Sequence, residues 1–244
     1  MPQEIPFIDF EAITTQSTNP DEVLAAIDVA VNEQVGLILE FVSENTRRLI
    51  VEVGSYGIPA AFSAERGIDD DEYYLDVSKI YFSPAMSYRP ALYKCDAFFV
   101  AKQYRDYPNF CSLPADCTSF PFPDENVDEL IYNNVFGAYY KEPDVMSAFL
   151  TDAARVLVDG GKIHITEITT PDYIPDEWFV GGRPNRNTPD AVTANQELFE
   201  LFGFRVVKLS TSHKDISFYR RPFDGCDSFH DTAFTLTLER IPRN

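Results

Sequence analysis

The chain has 244 residues, 45% hydrophobic and 14% aromatic, enough to bury a sizeable core and too much for a disordered polymer. With 39 Asp and Glu against 20 Lys and Arg, the formal charge is −19, a field that repels phosphate backbones and argues against nucleic acid as a partner. The basic residues are scattered, and no run exceeds Arg47-Arg48 or Arg220-Arg221.

Cys95, Cys111, Cys117 and Cys226 make no C-x-x-C and no metal-ligand spacing, and His164, His213 and His230 do not pair at helical spacing. No metal site is expected. No basic segment followed by an apolar core opens the chain, and no apolar run reaches the length of a membrane span. The expected location is cytoplasmic, with reduced thiols.

In chain order, residues 1–19 read as an arm that packs through Ile5, Phe7, Ile8 and Phe10. Asn19-Pro20-Asp21-Glu22 is a helix start: a cap, proline at the first position, and acids at the positive end. The apolar period from Val23 carries that helix to about Glu44, across an edge of a sheet and over the first strand. Leu49 to Gly54 is continuously apolar but for Glu52 and predicts a buried strand. Gly54-Ser55-Tyr56-Gly57 then turns the chain, and Pro59 starts a helix running to about Arg66.

Tyr73 to Asp76 predicts a second strand ending in an acid, preceded by a solvated acidic loop from Asp69 to Glu72. Residues 77–108 are turn-rich, and Asp96 to Ala101 fits helix or strand. Phe110 to Ala115 predicts a third strand that Pro114 ends early. Asp116 follows, then the turn Pro121-Phe122-Pro123-Asp124 and a fourth strand from Val127 to Tyr132, leading to Asn133-Asn134. Val145 to Val158 has the apolar stripe of a helix, stopped by Gly160-Gly161, and Lys162 to Glu167 alternates as a fifth strand. Thr169 to Asp190, with Trp178, Arg183 and Arg186, reads as a long binding or lid loop. Ala191 to Phe202 is a helix closed by Gly203, followed by strands from Phe204 to Leu209 and from Asp231 to Arg240. Strands alternating with helices predict a parallel sheet covered on both faces, with ligands outside the carboxyl ends of its strands.

The order D-x-x-x-x-P-F-x-D-x-x-x-D at Asp116 to Asp128, a strand, then R-V-L-x-x-G-G at Arg155 to Gly161 and another strand resembles the second half of class I S-adenosylmethionine-dependent methyltransferases, of the type 11-like group. Glu52, Gly54 and Gly57 match the family's first motif, acid-x-Gly-x-Gly-x-Gly, with Tyr56 where the central glycine is expected. A tyrosine forced to positive φ would cost about 1–2 kcal/mol, so the turn is expected to be reshaped, with the ring lining or blocking the cofactor site. The resemblance implies an α/β, Rossmann-like, seven-stranded and mostly parallel sheet with helices on both faces and a terminal antiparallel hairpin. It implies one methyltransferase-like domain over 1–244, with an arm and helix at 1–45 and the core at 46–244.

The resemblance also implies S-adenosylmethionine as cofactor. Asp76 would take the ribose diol, Asp116 and Cys117 would hold the adenine with Phe120 nearby, and Asn133, Asn134 and Phe136 would border the methionine portion. The implied activity is methyl transfer to a small molecule or a protein side chain. Glu167, His213 and His230 are the candidate bases, His164 reads as a half-exposed strand residue, and the catalytic residue is open. A second reading is a catalytically inactive methyltransferase-like binding or scaffold protein, suggested by Tyr56. A nicotinamide-dependent oxidoreductase is disfavoured, because Glu52 precedes the first turn glycine by two residues and the Asp116 loop has no role there.

Overall fold

A computed structural model describes residues 5–6, 8–17, 19–54, 59–62, 67–78, 81–82, 93–94, 96–133, 143–168, 176–181, 193–213 and 232–243. A short helix α1 (Phe10–Thr14) leads to the long α2 (Pro20–Glu44) and to strands β1 (Arg48–Val53) and β2 (Glu72–Ser78). The two-residue strands β3 (Tyr81–Phe82) and β4 (Tyr93–Lys94) pair with each other ahead of α3 (Asp96–Gln103) and β5 (Phe110–Pro114). The chain continues as β6 (Val127–Asn133), α4 (Pro143–Val156), β7 (Leu157–Ile168), and the small pair β8 (Phe179–Val180) and β9 (Thr193–Ala194). Helix α5 (Gln196–Leu201), β10 (Phe204–His213) and β11 (Thr232–Arg240) complete it.

Seven strands form one sheet in the order β10-β11-β7-β6-β1-β2-β5. The contacts β5-β2, β2-β1, β1-β6 and β6-β7 are parallel, and β11 runs antiparallel to both β7 and β10. From β1 the chain winds outward through β2 to the β5 edge, then returns to β6 on the other side of β1. The strand order therefore reverses between β1 and β6, where crevices form in such sheets.

Side-chain alternation assigns the two faces. Leu49, Val51, Val53, Leu75, Leu113, Leu130, Tyr132, Ile163 and Leu236 point to one face and share a core with α1, α2, α4 and Phe199 of α5. Ile50, Tyr74, Phe110 and Ile131 point to the other, packed with Ala61 and with Val100 of α3. Helices thus cover both faces, as expected.

The start of α2 follows the sequence closely. The Asn19 side chain accepts from the Asp21 N–H at 3.1 Å, Pro20 fills the first turn, and Asp21 and Glu22 lie at the positive end of the helix dipole. Its buried stripe runs Val23, Ile27, Val31, Gln34, Val35, Ile38 and Val42. The helix lies over β2 and β5: Phe41 meets the Tyr73 ring edge-on at 5.7 Å, and Gln34 reaches the Cys111 sulfur at 4.0 Å.

Several boundaries differ from the sequence expectation. Pro59 leads into a 3-10 turn at Ala60–Phe62, and the rest of the helix expected there, residues 63–66, lies outside the described residues. Helix α4 ends at Val156, and the Gly160-Gly161 pair belongs to β7. Gly160 has φ +76, and a Cβ on Gly161 would come within 2.9 Å of the Val158 carbonyl and 3.0 Å of the Asp128 carbonyl. These glycines therefore let the chain bend into the sheet beside β6, where the β6–β7 register shifts. Residues 193–194 form a strand and α5 begins only at Gln196, capped by Asn195. Gly203, at φ +81, ends it as expected.

The acidic run before β2 is only partly solvated. Asp69, Asp70 and Asp71 are exposed, but Glu72 is the first residue of β2 and is 2% exposed. Its register partner is Arg48, whose guanidinium meets Glu72 at 2.7 Å and Glu129 at 2.9 Å. Among the described residues, no helix is long and apolar enough to cross a membrane.

Candidate functional site

Five strands end on the same side of the sheet, at Val53, Ser78, Pro114, Asn133 and Ile168. Gly54, next after β1, has φ +71 and donates its N–H to the Val77 carbonyl at 2.8 Å. The strand leaves the sheet here through a conformation that L side chains resist, so the backbone is bare where a ligand would approach. Tyr56 and Gly57 lie outside the described residues.

Below this turn, register puts three polar residues in one row on one face: Glu52 of β1 is paired with Asp76 of β2, and Asp76 with Ser112 of β5. Glu52 is 1% exposed and Asp76 fully buried. Each carboxyl receives a hydroxyl from the neighbouring strand nearer the β5 edge. The Tyr74 hydroxyl donates to Glu52 Oε2 at 2.7 Å, and Ser112 Oγ donates to Asp76 Oδ2 at 2.5 Å. Buried carboxyls require such donors.

Asp76 is therefore not at the tip of its strand. Hydrogen bonds from Gly54 N to the Val77 carbonyl and from Ala115 N to the Ser78 carbonyl carry β2 two residues further. Ser78, on the same face as Asp76, is the residue at the carboxyl end.

Asp116 lies just past β5 and is half-buried. Its Oδ1 accepts from Thr118 N at 3.0 Å and from Thr118 Oγ1 at 2.9 Å, and the Ser119 N–H closes the turn on the Asp116 carbonyl at 3.0 Å. The carboxylate thus shapes its own turn. Cys117 is fully buried and packs with Phe120 and Phe122 in the core under α2 and α4. Its thiol has no opening to solvent.

On the other side of β1, Asn133 ends β6 opposite Thr166, with its side chain outside the described ones. The same holds for the side chains of Glu167 and His213, while Asn134, Phe136, Arg183, Arg186 and His230 lie wholly outside. His164 is half-exposed as expected, with Nε2 3.4 Å from Glu129 Oε2 and Nδ1 3.5 Å from Thr237 Oγ1.

The structure brings Glu52, Gly54 and Asp76 together, and places Asp116 at the end of the next strand but one. Sequence reasoning missed Tyr74 and Ser112. Tyr74 carried a signal, since it precedes Asp76 by two and so shares its face, whereas the register that brings Ser112 to Asp76 has none. Arg155, part of the R-V-L-x-x-G-G motif in sequence, has a further role in the fold. Its guanidinium reaches Asp152 at 2.6 Å, the Phe122 carbonyl at 2.6 Å and the Phe120 carbonyl at 3.0 Å. Among the described residues, no group of three or more His, Cys, Asp or Glu is arranged to hold a metal ion.

No family model and no curated protein matches the sequence. Solved structures do match. The 16S rRNA (adenine(1408)-N(1))-methyltransferase from Catenulisporales acidiphilia aligns with 87% of this chain and 94% of its own, at 15% identity and a TM-score of 0.55. A SAM-dependent methyltransferase from Methanosarcina mazei aligns over 81% and 94%, at 11% identity and a TM-score of 0.49. A [4+2]-cyclase aligns over 85% and 81%, at 15% identity and a TM-score of 0.48. At these identities the likeness is one of fold.

Proposed function

We infer, for a chain with the fold of the class I S-adenosylmethionine-dependent methyltransferase superfamily, a methyltransferase whose cofactor lies at the carboxyl ends of β1, β2 and β5. One observation carries this reading: Gly54 turns at positive φ directly above the row formed by Glu52 and Asp76, at the point where the strand order reverses. A turn without a Cβ lets the backbone approach a nucleoside, and the half-buried Asp116 at the end of β5 offers a carboxylate to an adenine amino group. These residues fit the cofactor. In this reading Gly54 and Gly57 border its amino-acid portion, with Glu52 beneath Gly54 and Asn133 across the reversal point. Asp76 lies beneath the ribose position, with Ser78 above it at the strand end. Cys117 supports the adenine segment from within the core.

When bound, S-adenosylmethionine supplies an activated methyl group, so the protein has to align the acceptor and exclude water. The acceptor we propose is a small molecule or a protein side chain. The likeness to an rRNA enzyme concerns fold, and a formal charge of −19 opposes a phosphate backbone.

A binding or scaffold protein without activity is the second reading. It is favoured by the closure of Glu52 and Asp76 to solvent and by their hydroxyl partners, which give both carboxyls a structural role without any ligand. Isothermal titration with S-adenosylmethionine and S-adenosylhomocysteine tests both readings. Micromolar binding weakened by Asp116→Ala supports the cofactor site on which the enzyme depends, whereas absence of binding overturns the enzyme and leaves the scaffold reading. A response to NAD would revive the oxidoreductase.

A further inference from the structure

We propose that Arg155 is a positioning residue for nucleoside binding: from α4 it fixes the segment that carries Asp116, without touching the ligand. This rests on the reading of the site given above.

The chain returns from the end of β5 at Pro114 to the start of β6 at Val127 without a helix or a paired strand, apart from the single bridge between Asp116 and Ser119. Such a segment has no ladder to satisfy its backbone groups, so side chains must do so. At the middle of the segment that work falls to one place on α4. Arg155 Nη2 donates to the Phe120 carbonyl at 3.0 Å, and Nη1 donates to the Phe122 carbonyl at 2.6 Å and to Asp124 Oδ1 at 3.2 Å. Its Nε donates to Asp152 Oδ1 at 2.6 Å, and Asp152 Oδ2 in turn accepts the Phe120 N–H at 2.6 Å. The N–H and the C=O of Phe120 are thus both held by this Arg–Asp pair. Further down, the Glu125 and Asn126 N–H groups donate to the carbonyls of Arg155 and Val156 at 3.0 and 2.8 Å.

Phe120 is the first residue after the Asp116–Ser119 turn, and its ring is buried with Cys117 and Phe122. The turn is therefore fixed at one end by β5 and at the other by Phe120. If the Arg155–Asp152 pair is lost, the second end keeps its buried ring but loses the hydrogen bonds to the Phe120 backbone, and the Asp116 carboxylate loses its fixed direction. A rigid planar fork suits this role because it bonds two carbonyls and two carboxylates at once, which an ammonium does not.

The experiment measures S-adenosylhomocysteine affinity by titration calorimetry and amide exchange across residues 116–122, in the full chain and in three variants. Arg155→Met is expected to weaken binding at least tenfold and to speed exchange at Thr118 and Ser119 at least tenfold. Arg155→Lys, which keeps the charge and loses the fork, is expected to fall between that variant and the wild type, and it serves alone if Arg155→Met does not fold. Arg48→Met is the stability control, since Arg48 also bridges several carboxylates but at the amino ends of β1, β2 and β6. It is expected to lower the melting temperature while leaving affinity within twofold. Binding by Arg155→Met within twofold of wild type, binding by Arg155→Lys equal to wild type, or an equal loss in Arg48→Met overturns the proposal. Failure of the wild type to bind S-adenosylhomocysteine overturns the cofactor reading as well, which distinguishes the two failures.

Discussion

The Tyr74 hydroxyl crosses from β2 to donate to the Glu52 carboxylate on β1 at 2.7 Å, and both side chains are closed to solvent. Tyr74 is in register with Ile50, so it reaches one row upward to the residue two positions short of the Gly54 turn. A buried hydrogen bond to a carboxyl group contributes about 1.5–3 kcal/mol, and its loss leaves the carboxyl with an unmet desolvation cost. Tyr74→Phe is expected to lower unfolding stability by about that amount in chemical denaturation. Its ring packing against Phe110 is kept, so a loss below about 0.5 kcal/mol would show that the hydroxyl carries no stabilising role.

Gly54→Ala puts a side chain at φ +71. The strain of about 1–2 kcal/mol is expected to appear as a lower denaturation midpoint. If the cofactor approaches this turn, affinity for S-adenosylhomocysteine falls beyond what the stability change requires. An alanine variant with unchanged affinity would place the ligand elsewhere.

Asp128 gives a pH signature. Burial raises its pKa, offset in part by the Leu49 N–H it accepts at 2.8 Å and by nearby Arg48. A carboxyl that binds its proton more tightly when folded stabilises the protein below the unfolded pKa, and that contribution is lost as pH rises through the raised native value. Asp128→Asn keeps an oxygen for Leu49 and cannot ionise. Its stability relative to wild type is expected to improve between about pH 3 and pH 7, measured by denaturation at each pH. A difference independent of pH, or one that worsens, contradicts the burial argument.

Burial also pushes the Cys111 thiol up to about 12, against the hydrogen bond from Gln34. At pH 8 about one thiol in ten thousand is then ionised, and the thiolate is the reactive form. Iodoacetamide mapping of the native protein is expected to leave Cys111 unmodified, as well as the fully buried Cys117. Both are expected to react in denaturant. Prompt native labelling of Cys111 would show that the β5 edge opens.

Helix α2 was legible because its signals are local: the cap, the proline and the apolar period all lie within the helix itself. The mostly parallel sheet followed from alternating strands and helices and from the resemblance at Asp116 to Gly161, whereas the order of its strands came only with the structure. The end of α4 is not legible in the sequence, because Gly160-Gly161 has the form of a helix stop, yet these glycines serve a bend in β7 against the Asp128 carbonyl of the neighbouring β6.

Sequence alone determined the α/β class, the long capped helix, the buried strand before Gly54 and the acidic field, since each depends on neighbours in the chain. Only the tertiary structure decided that Glu72 is buried against Arg48, that Asp76 lies two residues inside β2 beside Ser112 of β5, and that Arg155 holds Phe120. Those pairings join residues 24, 36 and 35 positions apart, and strand register and helix placement set them. An acid looks the same in sequence whether solvent or a buried donor receives it, and its burial is fixed by what the opposite strand brings to the same row.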